Sequence, residues 1–121
     1  MTNDELKQLA ITALEEMKAE DITVLDVKGK TSITDWVIVA TGTSSRHVKS
    51  IANNVVVTAK EAGNLPLGTE GEADGEWVLV DLGDVIVHVM QRQVRVYYDL
   101  ESLWSVDINR RQEIDQEKNV I

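Results

Sequence analysis

The chain has 121 residues, the size of one ordinary domain and too short for two independent cores. Twelve Lys+Arg against 21 Asp+Glu leave a formal net charge of −9, which argues against a surface built to neutralise nucleic-acid phosphates and favours neutral or basic partners. With no cysteine, disulfides, thiolate nucleophiles and Cys-ligated zinc are excluded, and with no apolar run near the roughly 20 residues of a membrane helix the expectation is a single cytoplasmic domain.

Residues 4–18 are predicted to be a helix, because Leu6, Leu9, Ala10, Ala13, Leu14 and Met17 recur on one helical face. Thr2 with Glu5 three residues later matches a capping box. Asp4, Glu5, Glu15 and Glu16 interrupt this segment, so it is not expected to be a signal peptide. Residues 22–28 are predicted to be a short strand, followed by a turn at Gly29-Lys30. Trp36 to Thr41 is a continuous apolar run, the pattern of a strand buried on both faces. After Gly42, Ser44 or Ser45 can cap a second helix whose stripe is Val48, Ile51, Ala52, Val55 and Ala59, with Gly63 at its C-cap. Leu65 to Glu72 holds the only proline, Pro66, and is an edge strand at best.

Trp77 to Met90 is the clearest element: two apolar runs flank Gly83-Asp84, a two-residue hairpin turn with glycine first. That register pairs Leu82 with Val85, Val80 with Val87 and Val78 with Val89, so one face is all Val and Leu and must be core. The other carries Trp77, Leu79, Asp81, Ile86, His88 and Met90, an apolar face punctuated by two ionisable groups. Such a face is either a partner surface or permanently covered by a helix, and the pattern leaves the two balanced. Residues 92–104 are predicted to form one or two short helical turns, and 107–121 a polar tail, disordered or marginally helical. Early alternation of helix and strand followed by a hairpin indicates an α/β or α+β domain with a mixed sheet.

Most of the chemistry that the sequence imitates fails on spacing. Gly29-Lys30-Thr31-Ser32 has the end of a P-loop, but the earlier glycine is Val24 and a strand follows instead of a helix. Gly42-Thr43-Ser44-Ser45-Arg46 has half of a nucleophile elbow, without the second glycine or a general base; His47 reads as a surface residue. Glu70, Glu72, Asp74, Gly75 and Asp81 imitate a calcium loop with the wrong acids, and are better read as a solvated turn. Nucleotidyl transfer is the more serious enzyme candidate, because a strand ending in Gly42 before a helix fits its phosphate-positioning turn. Two-metal transfer also needs paired carboxylates close behind, and between residues 43 and 69 the only acid is Glu61. A hairpin end explains Asp81 and Asp84, and two histidines make no histidine-rich metal site.

Asp26-Val27-x-Gly29-Lys30, Thr34 to Gly42 (TDWVIVATG) and Ser45-Arg46-His47-Val48 closely resemble the ribosomal silencing factor family (RsfS, also called Iojap-like). The resemblance continues through Glu70-Gly71, Trp77 to Met90 and Tyr98-Asp99-Leu100-Glu101-x-Leu103-Trp104. It defines a domain over residues 1–105, with 106–121 as a tail outside it. It implies a mixed sheet flanked by helices in a nucleotidyltransferase-like fold without the catalytic carboxylates. It also implies a non-enzymatic protein without cofactor or metal, one that binds the large ribosomal subunit through its ribosomal protein fourteen. Such binding obstructs joining of the small subunit and lowers translation when nutrients are scarce; the family also tends to form homodimers.

On that resemblance the expected contact residues are Trp77 and Leu82, with Met90 and Tyr98 as lesser ones, since large aromatic side chains bring contact area at little entropy cost. The hairpin register sets Trp77 and Leu82 on opposite faces, so either Leu82 escapes the core beside the turn or the register differs. The alternative for Trp77 is a core residue capping the sheet; Trp36 and Trp104 are expected in the core. Two other readings stay open: a Mg-dependent nucleotidyltransferase or nucleotide binder using the Gly42 turn, and a dimerisation domain whose interface is the Trp77 face.

Overall fold

A computed structural model describes residues 1–105. Helix α1 runs Asn3–Glu16, and Thr2 closes the expected capping box. The Thr2 hydroxyl accepts from the Glu5 backbone N–H at 3.1 Å while a Glu5 carboxylate oxygen accepts from the Thr2 N–H at 2.7 Å. These bonds hold the Glu5 carboxyl below its ordinary pKa. Strand β1 (Glu20–Asp26) begins and ends two residues earlier than predicted. Lys18, in the left-handed region at φ 59°, turns the chain from helix towards strand, and a bulge with Asp21 at φ 48° lies between Glu20 and Thr23 within β1. Val27 then leaves the sheet and is buried, its N–H bonded to the Asp35 carbonyl at 3.0 Å.

Strand β2 (Trp36–Gly42) is followed by helix α2 (Ser45–Glu61), and Ser44 is the residue that caps it, accepting from the His47 N–H. Beyond α2 come β3 (Gly68–Glu70), β4 (Trp77–Asp81), β5 (Val85–Gln91), α3 (Arg92–Tyr98) and α4 (Leu100–Ser105). The three-residue β3 after Pro66 lies at the sheet edge, as expected of a segment that a proline interrupts. Asp99, in the left-handed region at φ 47°, separates α3 from α4.

The sheet has the order β1-β2-β5-β4-β3, with β2 and β5 parallel and the other pairs antiparallel. The mixed sheet flanked by helices is therefore the fold that the sequence predicts. The hairpin register is also the predicted one: Val78 faces Val89, Val80 faces Val87, and the Leu82 N–H bonds the Val85 carbonyl at 2.9 Å. Gly83 takes φ 93° in the turn, a conformation other residues adopt only with strain.

One sheet face packs Ile38, Val78, Val80, Val87 and Val89 against α1 and α2. The opposite face packs Val37, Val39 and Met90 against Leu100, Leu103 and Trp104 of α4. Strands β2 and β5 are covered on both sides, which is why apolar residues dominate their sequences, with His88 buried among them. Trp104 is core as expected. Trp36 lies half-buried at the core edge, with the Lys7 and Lys28 ammoniums 4.1 and 3.9 Å from its ring centroid. No helix among the described residues is long and apolar enough to cross a membrane. The predicted disorder of residues 106–121 lies outside the described residues.

Candidate functional site

The second hairpin face, left balanced between a partner surface and a covered one, is covered in one part and open in the other. At its β5 side His88, Met90 and Ile86 are buried. At the start of β4, Trp77 is only half-buried, and beyond it Tyr98 and Tyr97 of α3 are 52% and 80% exposed. The rings form a continuous series: Trp77 to Tyr98 at 4.8 Å between centroids, and Tyr98 to Tyr97 edge-on at 5.0 Å.

Trp77 is fixed from behind. Its indole Nε1–H donates to His88 Nδ1 at 3.0 Å, which places the imidazole proton on Nε2. Burial pushes the His88 pKa down to about 4, so near neutral pH the ring is uncharged and Nδ1 remains an acceptor. The inner edge of the indole is thereby satisfied. A groove of about 460 Å³ opens beside the ring, walled by Trp77, Val94, Tyr97 and Tyr98, with Asp74 and Glu76 also lining it. An exposed aromatic patch edged with carboxylates has the chemistry of a surface for a basic protein.

Arg95, which the sequence reading passed over, holds this surface in place. All five of its N–H donors are used. Nη1 donates to the Asp21 carbonyl at 2.6 Å and to Thr41 Oγ1 at 2.8 Å. Nη2 donates to Thr23 Oγ1 and to a Glu101 oxygen, both at 2.8 Å, and Nε reaches the other Glu101 oxygen at 3.3 Å. One guanidinium thus ties α3 to β1, β2 and α4, and α3 carries Tyr97 and Tyr98. In the sequence Arg95 sits between Val94 and Val96 in a short helix and looks like any solvated cation; only the fold shows its acceptors.

Two expected contact residues are placed differently. Leu82 is 4% exposed, in the core beneath α1 and α2, and Met90 is fully buried under α4. Both side chains are core, and neither offers area to a partner while the fold is intact. The register was right and Leu82 does not escape the core. Trp77 and Tyr98 are brought together, and Tyr97 joins them.

The residues around Gly42 have structural employment. A Cβ on Gly42 would stand 2.7 Å from Val48 Cγ2 and 3.0 Å from the Val48 backbone nitrogen, so this glycine lets α2 approach the strand. His47, expected at the surface, is instead half-buried and clamps two segments. Its Nδ1 accepts from the Thr43 N–H at 2.9 Å, and Nε2 lies 2.8 Å from the Met17 carbonyl. Asp35 accepts from Asn3 at 2.6 Å and anchors the start of α1. The Asp81 carboxylate accepts from the Gly83 N–H at 2.8 Å and so serves the hairpin turn, while the backbone carbonyl of Asp84 accepts from the N–H groups of Asp35 and Trp36. Among the described residues no three His, Asp or Glu side chains are grouped as a metal would require.

A family model described as "Ribosomal silencing factor during starvation" matches residues 1–120. The ribosomal silencing factor of Chromobacterium violaceum is 55% identical over 104 residues, covering 86% of this chain and 85% of its own. A crystal structure of a protein from Chromobacterium violaceum superposes with a TM-score of 0.86 at 53% identity, covering 88% of this chain and 89% of that one. A more distant mouse relative, "Mitochondrial assembly of ribosomal large subunit protein 1", is 29% identical over 101 residues, covering 81% of this chain and 44% of its own.

Proposed function

Because the chain belongs to the ribosomal silencing factor family, we propose that it binds the large ribosomal subunit through ribosomal protein fourteen and obstructs joining of the small subunit, lowering translation when nutrients are scarce. The observation that carries the reading is the half-open Trp77–Tyr98–Tyr97 surface with carboxylates beside it. Ribosomal proteins are generally basic, so a chain of net charge −9 is steered towards one and kept from docking directly on rRNA. Occlusion needs no reaction, so this reading gives the chain no catalytic step. The name of the mouse relative, which concerns the large subunit, points to the same particle. Trp77 and Tyr98 are the contact residues of this proposal, with Tyr97 added from the geometry. A homodimer is part of the same expectation, and the mass in solution tests it.

Co-sedimentation with isolated large subunits, followed by addition of small subunits, tests the reading. Wild type should pellet with large subunits and suppress joining. Trp77→Glu, confirmed as folded by its melting curve, should bind roughly thirtyfold more weakly, since loss of a central aromatic anchor costs about 2 kcal/mol or more. Failure of wild type to bind refutes the proposal. A Mg²⁺-dependent nucleotide affinity would then favour the nucleotide-binding alternative at the Gly42 turn.

A further inference from the structure

The groove beside Trp77 is more selective than an apolar patch needs to be. Aromatic rings line it, Asp74 and Glu76 bring exposed carboxylates to it, and no basic side chain is among its lining residues. Lys49 packs near Gly75 but does not line the groove. His88, directly behind Trp77, is held neutral by burial, so no positive charge backs the indole. Its bond to the Trp77 N–H leaves the ring face, with its negative quadrupole, as what an arriving group can meet.

We propose that this groove is the seat of a single arginine side chain of the basic protein partner, its guanidinium stacked on the Trp77 and Tyr98 rings and hydrogen-bonded by Asp74 or Glu76. The inference rests on the ribosome-binding reading for the source of the arginine, but the seat is a property of this chain. Arginine fits better than lysine because its planar, weakly hydrated guanidinium stacks on aromatic faces and can be held by a carboxylate at the same time. An ammonium keeps its water and offers no flat face. A volume of about 460 Å³ leaves room for the whole side chain.

The test has two arms. In the first, the double variant Asp74→Asn, Glu76→Gln is co-sedimented with large subunits; it should melt like wild type and bind about tenfold more weakly or worse, as expected for a lost charge-assisted hydrogen bond. In the second, arginine amide, lysine amide and norleucine amide are titrated into the full chain while the Trp77 indole resonance, assigned with Trp77→Phe, is followed. Arginine amide should move it most, and should no longer move it in the double variant. If the double variant binds large subunits as wild type does while Trp77→Glu does not, the seat is wrong and ribosome binding stands. If norleucine amide shifts Trp77 as much as arginine amide does, the groove is merely apolar and the seat is again wrong. If arginine amide behaves as expected but wild type ignores large subunits, the seat stands and the ribosomal source falls.

Discussion

Replacing Arg95 by methionine keeps an unbranched side chain in place but removes all five donors. The cost can be assigned acceptor by acceptor. Thr41 is 1% exposed, so its hydroxyl loses a charged partner with no water to replace it, at about 1–3 kcal/mol. The Glu101 side chain is 30% exposed against 10% for Arg95, so its carboxylate recovers solvent and loses much less. Asp21 is exposed and its carbonyl is readily hydrated, while the half-buried Thr23 falls between these cases. Because relief of the buried guanidinium's own desolvation offsets part of the loss, the net is roughly 2–4 kcal/mol. For a domain of this size that lowers the melting temperature by on the order of 10–25 °C. Thermal melts by circular dichroism measure the loss. Near-ultraviolet ellipticity, recorded well below the melt, reports whether Tyr98 still sits against Trp77. Arg95→Lys, with three donors and no fork, should fall between wild type and Arg95→Met. A methionine variant that melts within a degree or two of wild type and keeps its aromatic signal would refute the view that this guanidinium fixes α3.

Two further outcomes follow from the geometry. Gly42→Ala should destabilise by about 1–3 kcal/mol through its clash with Val48, seen as a shifted urea midpoint, because Gly42 has no positive φ and the cost is steric alone. Combined with Val48→Ala, which alone costs stability because Val48 is buried, the double variant should lose less than the sum of the two single losses, since the shortest contact, at 2.7 Å, is to Val48 Cγ2; strictly additive losses would count against the packing explanation. His88 titrates near 4 when folded and near 6.5 when unfolded, so between these values the unfolded chain holds more protons and stability falls as the pH is lowered. The full contribution is about 3 kcal/mol, from roughly 1.4 kcal/mol per pKa unit. His88→Gln, whose side-chain carbonyl can still accept from Trp77, should flatten the pH dependence of the urea midpoint through this window. An unchanged slope would remove His88 as its source.

The elements were legible because local rules and the tertiary fold agree in them. The Thr2–Glu5 capping box, the stripe of α2 and the Gly83-Asp84 turn each depend on residues within a few positions of one another. The run Trp36 to Thr41 announced a strand covered on both faces, and β2 is one. Alternation along the hairpin fixed its register, since a slip of one residue would turn every valine of the core face to the other side. The family, too, was readable, because its motifs are contiguous.

The site was only half legible for the opposite reason. Alternation says which residues share a sheet face but not how much of that face a later segment covers. Met90 and Trp77 lie on the same face of a cross-strand pair, yet α4 buries the first and leaves the second half-open. Leu82 was expected in contact with a partner, but its parity in the strand already set it among the core valines. The bonds of Arg95 to Asp21, Thr23 and Thr41 span 54 to 74 positions, and the clamp of His47 on Met17 spans 30. By itself the sequence determined the elements, the register of the hairpin and the acidic character of the chain, because these rest on near neighbours and composition. The tertiary structure decided which apolar residues remain at the surface and which cation holds them there, because burial and buried hydrogen bonds depend on what distant segments bring to the same point.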